Sequence, residues 1–148
     1  MDKKDIQLGC LKKINIQLVA LEKILNEILL ATATDSKSSA GDKHETSTSM
    51  AQLEQEKLTK QINILLSQKD KLLTIKTDTL HNKIGIGSVV ITNRGGFYLS
   101  VGIGKFESKD SEFFAINPEA PIAKLLIGKK ITDKIIYNDD SFEILNVF

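Results

Sequence analysis

The sequence predicts an α+β protein, an N-terminal antiparallel helical coiled-coil hairpin followed by a small antiparallel sheet with one helix. Apolar residues at helical spacing fill the first part of the chain, and a Ser- and Gly-rich stretch between Thr32 and Ser49 interrupts them. From Ile84 onwards, short β-branched and aromatic runs alternate with turn residues. This change of period predicts a hairpin domain at residues 1–80 and a sheet domain at residues 81–148.

Composition narrows the classes of function. The chain has 148 residues, 41% of them hydrophobic, which is enough for a packed core. Its net charge of +1 gives no overall field for nucleic acid, so we expect no free-standing DNA binding. The first residues lack the apolar core of a signal peptide, and no apolar run approaches the roughly 20 residues of a membrane span. We therefore expect a cytoplasmic protein with no membrane role.

The first helix is predicted at residues 6–33 because its apolar residues alternate three and four apart, the spacing of a coiled-coil seam. The seam residues are Leu11, Ile14, Leu18, Leu21, Leu25 and Ile28. Ile16, Val19 and Ile24 widen the apolar face beyond that seam, which is typical of a docking surface.

The second helix is predicted to start close to Ser47 and to run from about Met50 to Thr79. Its apolar residues are Leu58, Leu65 and Leu72, seven apart, with Ile62, Leu66, Leu73 and Ile75 on the same side. Two amphipathic helices joined by a polar bend bury their stripes on each other, so we expect an antiparallel hairpin with its tip at about residues 35–49.

The sheet domain is predicted to contain five strands and one short helix. The strands are 87–92, 97–103, 113–116, 135–137 and 142–147, and the helix is 122–127, opened by prolines and closed by Gly128. The segment Gly102-Ile103-Gly104 lacks the third glycine of a dinucleotide loop and is interpreted as a strand end or bulge.

Two carboxylates at the predicted tip are the candidate site. Asp42 and Glu45 lie three positions apart, and Mg²⁺ is commonly held by one or two protein carboxylates. From the residues alone, a metal pair and a solvated bend both remain open. His44 between them is interpreted as a surface histidine, and Cys10 as a helix-face packing residue with no histidine spaced to activate it.

The order of these elements resembles the bacterial Gre transcript-cleavage factors. Gly41-Asp42-Lys43-His44-Glu45 matches the tip pattern of that family, and Gly87-Ser88-Val89-Val90 resembles the first strand of its C-terminal domain. The run from Pro121 to Lys129, followed by Thr132-Asp133, resembles the helix and turn before its last hairpin. The resemblance covers nearly the whole chain, and it implies an FKBP-like fold for the sheet domain.

The resemblance also implies a function. Gre factors bind RNA polymerase through its secondary channel and place tip carboxylates at the polymerase metal site, where backtracked RNA is cut at its 3′ end. The expected roles are therefore Mg²⁺ coordination by Asp42 and Glu45, shared with the polymerase, in an accessory factor that is not an enzyme by itself. Thr46-Ser47-Thr48-Ser49 stands where the family usually continues with Asn, Ala, Glu and Tyr. A regulator that occupies the channel without promoting cleavage is the alternative.

Overall fold

The computed structural model describes residues 1–35 and 41–148, with the side chains of these ranges except those of residues 35, 41–45 and 47. Helix α1 spans Lys3–Asp35 and helix α2 spans Gly41–Thr74. Both predicted helices are therefore confirmed, although α2 begins earlier and ends earlier than predicted. No helix among the described residues is long and apolar enough to cross a bilayer.

The chain divides into two compact units. One unit is Asn15–Ser67, and the other combines Met1–Ile14 with Gln68–Phe148. The domain boundary near residue 80, inferred from the change of period, stays a prediction.

The unit Asn15–Ser67 consists of two helical segments that bury a common seam. The buried side chains are Leu18 on α1 and Leu58, Ile62 and Leu65 on α2, and those of Leu21, Leu25 and Ile28 are half-buried. The helices are antiparallel. The five residues between α1 and α2 reach at most about 18 Å, whereas the 33 residues of α1 extend about 50 Å. That link is too short to return along α1 and start a parallel helix. The predicted hairpin seam is thus confirmed for these residues, whereas Ile14 and Leu72, which were predicted to belong to it, are buried in the other unit.

Two side chains of α2 contradict the predicted seam. Leu66 and Leu73 are 42% and 54% exposed, so they do not lie on the buried side with Leu65 and Leu72. Each follows a buried leucine by one position, and one position turns a helix by about 100°. That rotation takes both side chains away from the seam.

The sheet has six strands, in the spatial order β3-β4-β2-β1-β6-β5. The elements are β1 Val89–Thr92, β2 Gly95–Leu99, β3 Gly104–Ser108, β4 Ser111–Ile116, helix α3 Pro121–Leu126, β5 Lys134–Tyr137 and β6 Asp140–Val147. The predicted α+β class, the β1–β2 and β5–β6 hairpins and the short helix are confirmed.

Two details of the sheet differ from the prediction. Strand β3 was not predicted, and β2 ends at Leu99 instead of continuing to Ile103. The sheet is also not wholly antiparallel, because β4 pairs with β2 in parallel. The cause is the β3–β4 hairpin, in which β3 takes the outer edge and β4 returns beside β2 in the same direction.

The tight turns of two hairpins have the backbone that a right-handed sheet twist requires. Lys109 and Asp110 between β3 and β4, and Asn138 and Asp139 between β5 and β6, all have positive φ. Two consecutive residues with positive φ are the signature of a type I′ turn, whose twist matches that of the flanking strands.

The sheet is covered on both faces. One face packs against α3, and its buried cluster contains Val90, Phe97, Leu99, Leu126, Ile135, Phe142 and Ile144. Tyr98, Phe106 and Phe113 belong to the opposite face, because neighbouring residues in a strand alternate between faces. Gly96 also lies there, and a Cβ at Gly96 would stand 2.6 Å from the Phe113 ring, so the ring needs a glycine beside it.

Candidate functional site

The predicted tip pair lies in the first turns of α2. That helix begins at Gly41, so Asp42 and Glu45 occupy helical backbone and not the polar bend that the sequence predicted. Their side chains lie outside the described residues, as does that of His44. The assignment of Asp42 and Glu45 as metal ligands therefore stays a prediction.

The early start of α2 has a physical cause in the seam. Thr48 and Ala51, at helical spacing before Leu58, are partly buried, so the packed stripe continues towards the N-terminus beyond the residues that the sequence marked as apolar. Ser and Thr have only a modest disadvantage inside helices, which continued packing outweighs. Acidic residues also favour the first turn, where they face the positive end of the helix dipole.

The described side chains offer no alternative metal centre. Among them, no group of three His, Cys, Asp or Glu residues lies close enough to hold an ion.

An apolar groove runs along one flank of the helical unit. It has a volume of about 390 Å³ and is lined by Gln17, Ala20 and Leu21 from α1 and by Gln61, Ile64 and Leu65 from α2. Ile64 at its edge is 59% exposed. Ile16, Val19 and Ile24, which the sequence placed on a widened apolar face of α1, are all exposed. A docking surface requires such exposure.

Cys10 is a packing residue of the sheet unit, as the sequence indicates. Its side chain is fully buried. Burial raises the pKa of the Cys10 thiol to about 12, and the nearby Ser100 hydroxyl and the charge of Lys13 oppose this only in part. A buried thiol with a raised pKa has little thiolate at neutral pH, which supports the interpretation of Cys10 as a packing residue.

Tyr98 lies beside Cys10 in the same interior. Burial raises the pKa of the Tyr98 hydroxyl above its ordinary range, and Cys10 adds to that shift. Although Gln7 is nearby, the Tyr98 hydroxyl completes no hydrogen bond with any described residue. Gln7 instead donates both of its side-chain hydrogen bonds to backbone carbonyls, those of Leu72 and Ile75, each at 2.9 Å.

A polar cluster joins the start of α1 to the segment that follows α2. The buried Lys3 ammonium donates to the carbonyl of Thr79. Burial lowers the pKa of Lys3, and the nearby charge of Asp78 opposes that shift. Burial and the charge of Lys3 both lower the pKa of His81. These contacts were not predicted, because they join residues more than seventy positions apart.

The sheet unit also carries a cleft of about 340 Å³, a size typical of small-ligand pockets. Ile75, Ile86, Val101 and Pro118 supply its apolar lining, and Gln68, Lys71, Ser100 and Asn117 supply polar groups. No sequence pattern indicates this cleft, since its lining comes from four separate segments of the chain.

Comparisons with known proteins find distant likenesses among solved structures. No protein-family model matches the chain, and no curated protein matches its sequence. The chain is similar to a solved structure of the transcription factor Gfh1, with 16% identity, a TM-score of 0.37, and coverage of 94% of this chain and 93% of that one. It is also similar to GreA factor homologue 1 (Gfh1) of Thermus thermophilus, with 18% identity, a TM-score of 0.35, and coverage of 96% and 92%. At these scores the likeness assigns no function.

Proposed function

We propose that this chain is a Gre-type transcription elongation factor that binds RNA polymerase through the secondary channel and stimulates cleavage of backtracked RNA. The observation that carries the proposal is the order of elements: Gly41-Asp42, two residues and Glu45 at the junction of two long antiparallel helices, followed by a small α+β unit. In Gre factors the tip motif and the C-terminal domain follow one another along the chain in the same order.

The helix geometry suits the proposed role of the two carboxylates. Residues three apart share one face of a helix, so positions 42 and 45 of α2 fall on the same side. Carboxylate oxygens are the ligands that Mg²⁺ prefers, and one or two of them suffice when substrate and water complete the shell. In a two-metal site shared with the polymerase, metal ions would activate a water molecule and stabilise the leaving oxygen. Asp42 and Glu45 would complete a site that the polymerase otherwise provides, and the chain alone would be no nuclease.

The proposal is tested with stalled, backtracked RNA polymerase from the same organism in the presence of Mg²⁺. Wild-type protein is expected to shorten the RNA, and the double variant Asp42→Asn/Glu45→Gln is expected to lose that activity by about a hundredfold or more, as for loss of a metal-holding pair. Glu54→Gln/Glu56→Gln is the matched control, because both glutamates are exposed carboxylates further along α2.

Binding must be measured alongside cleavage. If the tip variant binds the polymerase as wild type does but no longer shortens RNA, the pair acts in the chemistry. Equal cleavage by the tip variant and the control would show that the two carboxylates have no such role.

The alternative is a regulator that occupies the channel without stimulating cleavage. The polar run Thr46-Ser47-Thr48-Ser49 favours it, because it replaces the residues that usually follow the glutamate in Gre tips. In the same assay, this function predicts that wild-type protein binds the polymerase and slows RNA synthesis while leaving backtracked RNA uncut.

A further inference from the structure

The first three turns of α1 belong to the interior of the sheet unit. Ile6, Cys10 and Ile14, each four residues apart, form one face of the helix, and none is more than 1% exposed. Ser100 lies close enough to Cys10 to affect the pKa of its thiol, and Cys10 close enough to Tyr98 to affect that of its hydroxyl, which places this helix face on the side of the sheet opposite α3. The segment therefore supplies apolar cover to a surface of aromatic residues.

Gly9 brings the helix unusually close to strand β3. A Cβ atom at Gly9 would stand 2.5 Å from the carbonyl oxygen of Glu107 and 3.1 Å from the Cβ of Ser108. The obstructing atoms are backbone, or attached directly to it, so neither neighbour can rotate aside. At this point helix and strand touch through their main chains, which only a glycine allows.

Polar contacts fix the register of the same segment. The Ser108 hydroxyl donates to the carbonyl of Asp5 at 3.0 Å, and Lys109 forms a 2.6 Å ion pair with the Asp5 carboxylate. One helical turn beyond Gly9, the Lys13 ammonium donates to the carbonyl of Lys105. The β3–β4 hairpin is thus bound to α1 on both sides of the close approach.

We infer that residues 3–14 are a permanent cover of this sheet face, which they leave only when the sheet itself unfolds. For the segment to leave, three fully buried side chains, the main-chain contact at Gly9 and the polar contacts of Asp5 and Lys13 all have to be lost together. The segment is therefore not a releasable strap. Regulation that lifts this part of α1 from a folded sheet is excluded. The inference concerns the sheet unit alone and does not depend on the proposed function.

The chain contains its own probe of this inference. Cys10 is the only cysteine, and it is buried in the contact. In full-length protein, the rate at which N-ethylmaleimide labels Cys10 is measured at increasing urea concentrations. Unfolding of the sheet is followed in parallel by near-ultraviolet circular dichroism, to which the buried Tyr98 contributes.

We expect labelling about a thousandfold or more slower than in the unfolded chain, as for exchange through global unfolding. Its logarithm should rise with urea with the same slope as the unfolding constant of the sheet. Labelling that is fast, or that depends only weakly on urea while the dichroism of the folded sheet persists, would overturn the inference, because it would reveal local release of the helix.

A variant pair sharpens the result. Gly9→Ala obstructs the main-chain contact and is expected to raise the labelling rate about tenfold, by the same factor as the unfolding constant of the sheet. Lys12→Ala, at an exposed position of the same segment, is expected to change the rate by less than about threefold. A Gly9→Ala effect on labelling without an effect on unfolding would again indicate release without unfolding.

Discussion

Replacing Gly9 by alanine should destabilise this protein, although the same exchange stabilises most helices. Alanine exceeds glycine in helix propensity by about 1 kcal/mol, so the change would be favourable at an exposed site inside α1. At Gly9 the added methyl group meets the carbonyl oxygen of Glu107 at 2.5 Å. Carbon atoms in ordinary contact lie about 3.5–4.0 Å from their neighbours, so the helix and β3 would have to separate by roughly 1 Å.

That separation determines the magnitude. Overpacking of a rigid contact costs about 1–3 kcal/mol. The displacement would also lengthen the 3.0 Å hydrogen bond from Ser108 to the Asp5 carbonyl. After subtraction of the propensity gain of about 1 kcal/mol, the expected net loss in the free energy of unfolding is up to about 2 kcal/mol. For a chain of this size, each 1 kcal/mol lowers the melting temperature by about 2–4 °C.

The assay is thermal and urea unfolding, followed by near-ultraviolet circular dichroism for the sheet unit and by far-ultraviolet dichroism for the helical unit, to which Ala20 belongs. Ala20→Gly is the control, because Ala20 is an exposed helical position on α1 and should lose about 1 kcal/mol from propensity alone. Opposite exchanges at the two positions should therefore both destabilise. A Gly9→Ala protein that is more stable than wild type would show that α1 does not approach β3 this closely.

Three further predictions concern the seam, the interior and the pH dependence. Leu18→Ala should destabilise the helical unit by about 2–4 kcal/mol in urea unfolding followed by far-ultraviolet dichroism, whereas Val19→Ala, on the exposed side, should cost less than about 1 kcal/mol. Tyr98→Phe should leave the melting temperature unchanged or raise it, because it removes a buried hydroxyl that completes no hydrogen bond with described residues; a loss above about 2 kcal/mol would reveal a partner for that hydroxyl. Burial and Lys3 lower the pKa of His81 in the folded protein, so as the pH falls the unfolded chain binds a proton at His81 before the folded protein does. The free energy of unfolding should therefore fall as the pH drops through about 6.5 towards the lowered pKa, and His81→Gln should reduce this pH dependence of stability.

The hairpin could be predicted from the sequence because the pattern that specifies it lies within each helix. Leucines and isoleucines three and four positions apart define a seam without reference to anything distant, and Leu18, Leu58 and Leu65 are buried as that spacing requires. The start of α2 was misplaced because the serines and threonines before Met50 resemble a turn when they are considered alone. In the folded unit the same residues extend a helix whose packing is already established.

Strand β3 shows why part of the sheet was missed. Only Phe106 in Gly104–Ser108 is a large apolar residue, so the segment lacks the alternation by which a strand is recognised. Its partners are β4 and, through Glu107 and Ser108, the first turns of α1, about a hundred positions away in sequence. A contact of that kind leaves no periodic signal in either segment. For Asp42 and Glu45 the sequence remains the only basis of assignment.

Helix α1 shows the same limit within a single element. Its apolar stripe continues without interruption from Ile6 through Ile14 and Leu18 to Ile28, in steps of three or four residues throughout. That spacing indicates that one face of the helix is buried, but it does not indicate which element packs against that face. In residues 1–14 the face packs into the sheet unit, whereas beyond Asn15 it packs against α2. Gly9 is a local sign of the change, because a glycine in an otherwise regular helix is unfavourable unless another main chain approaches it closely.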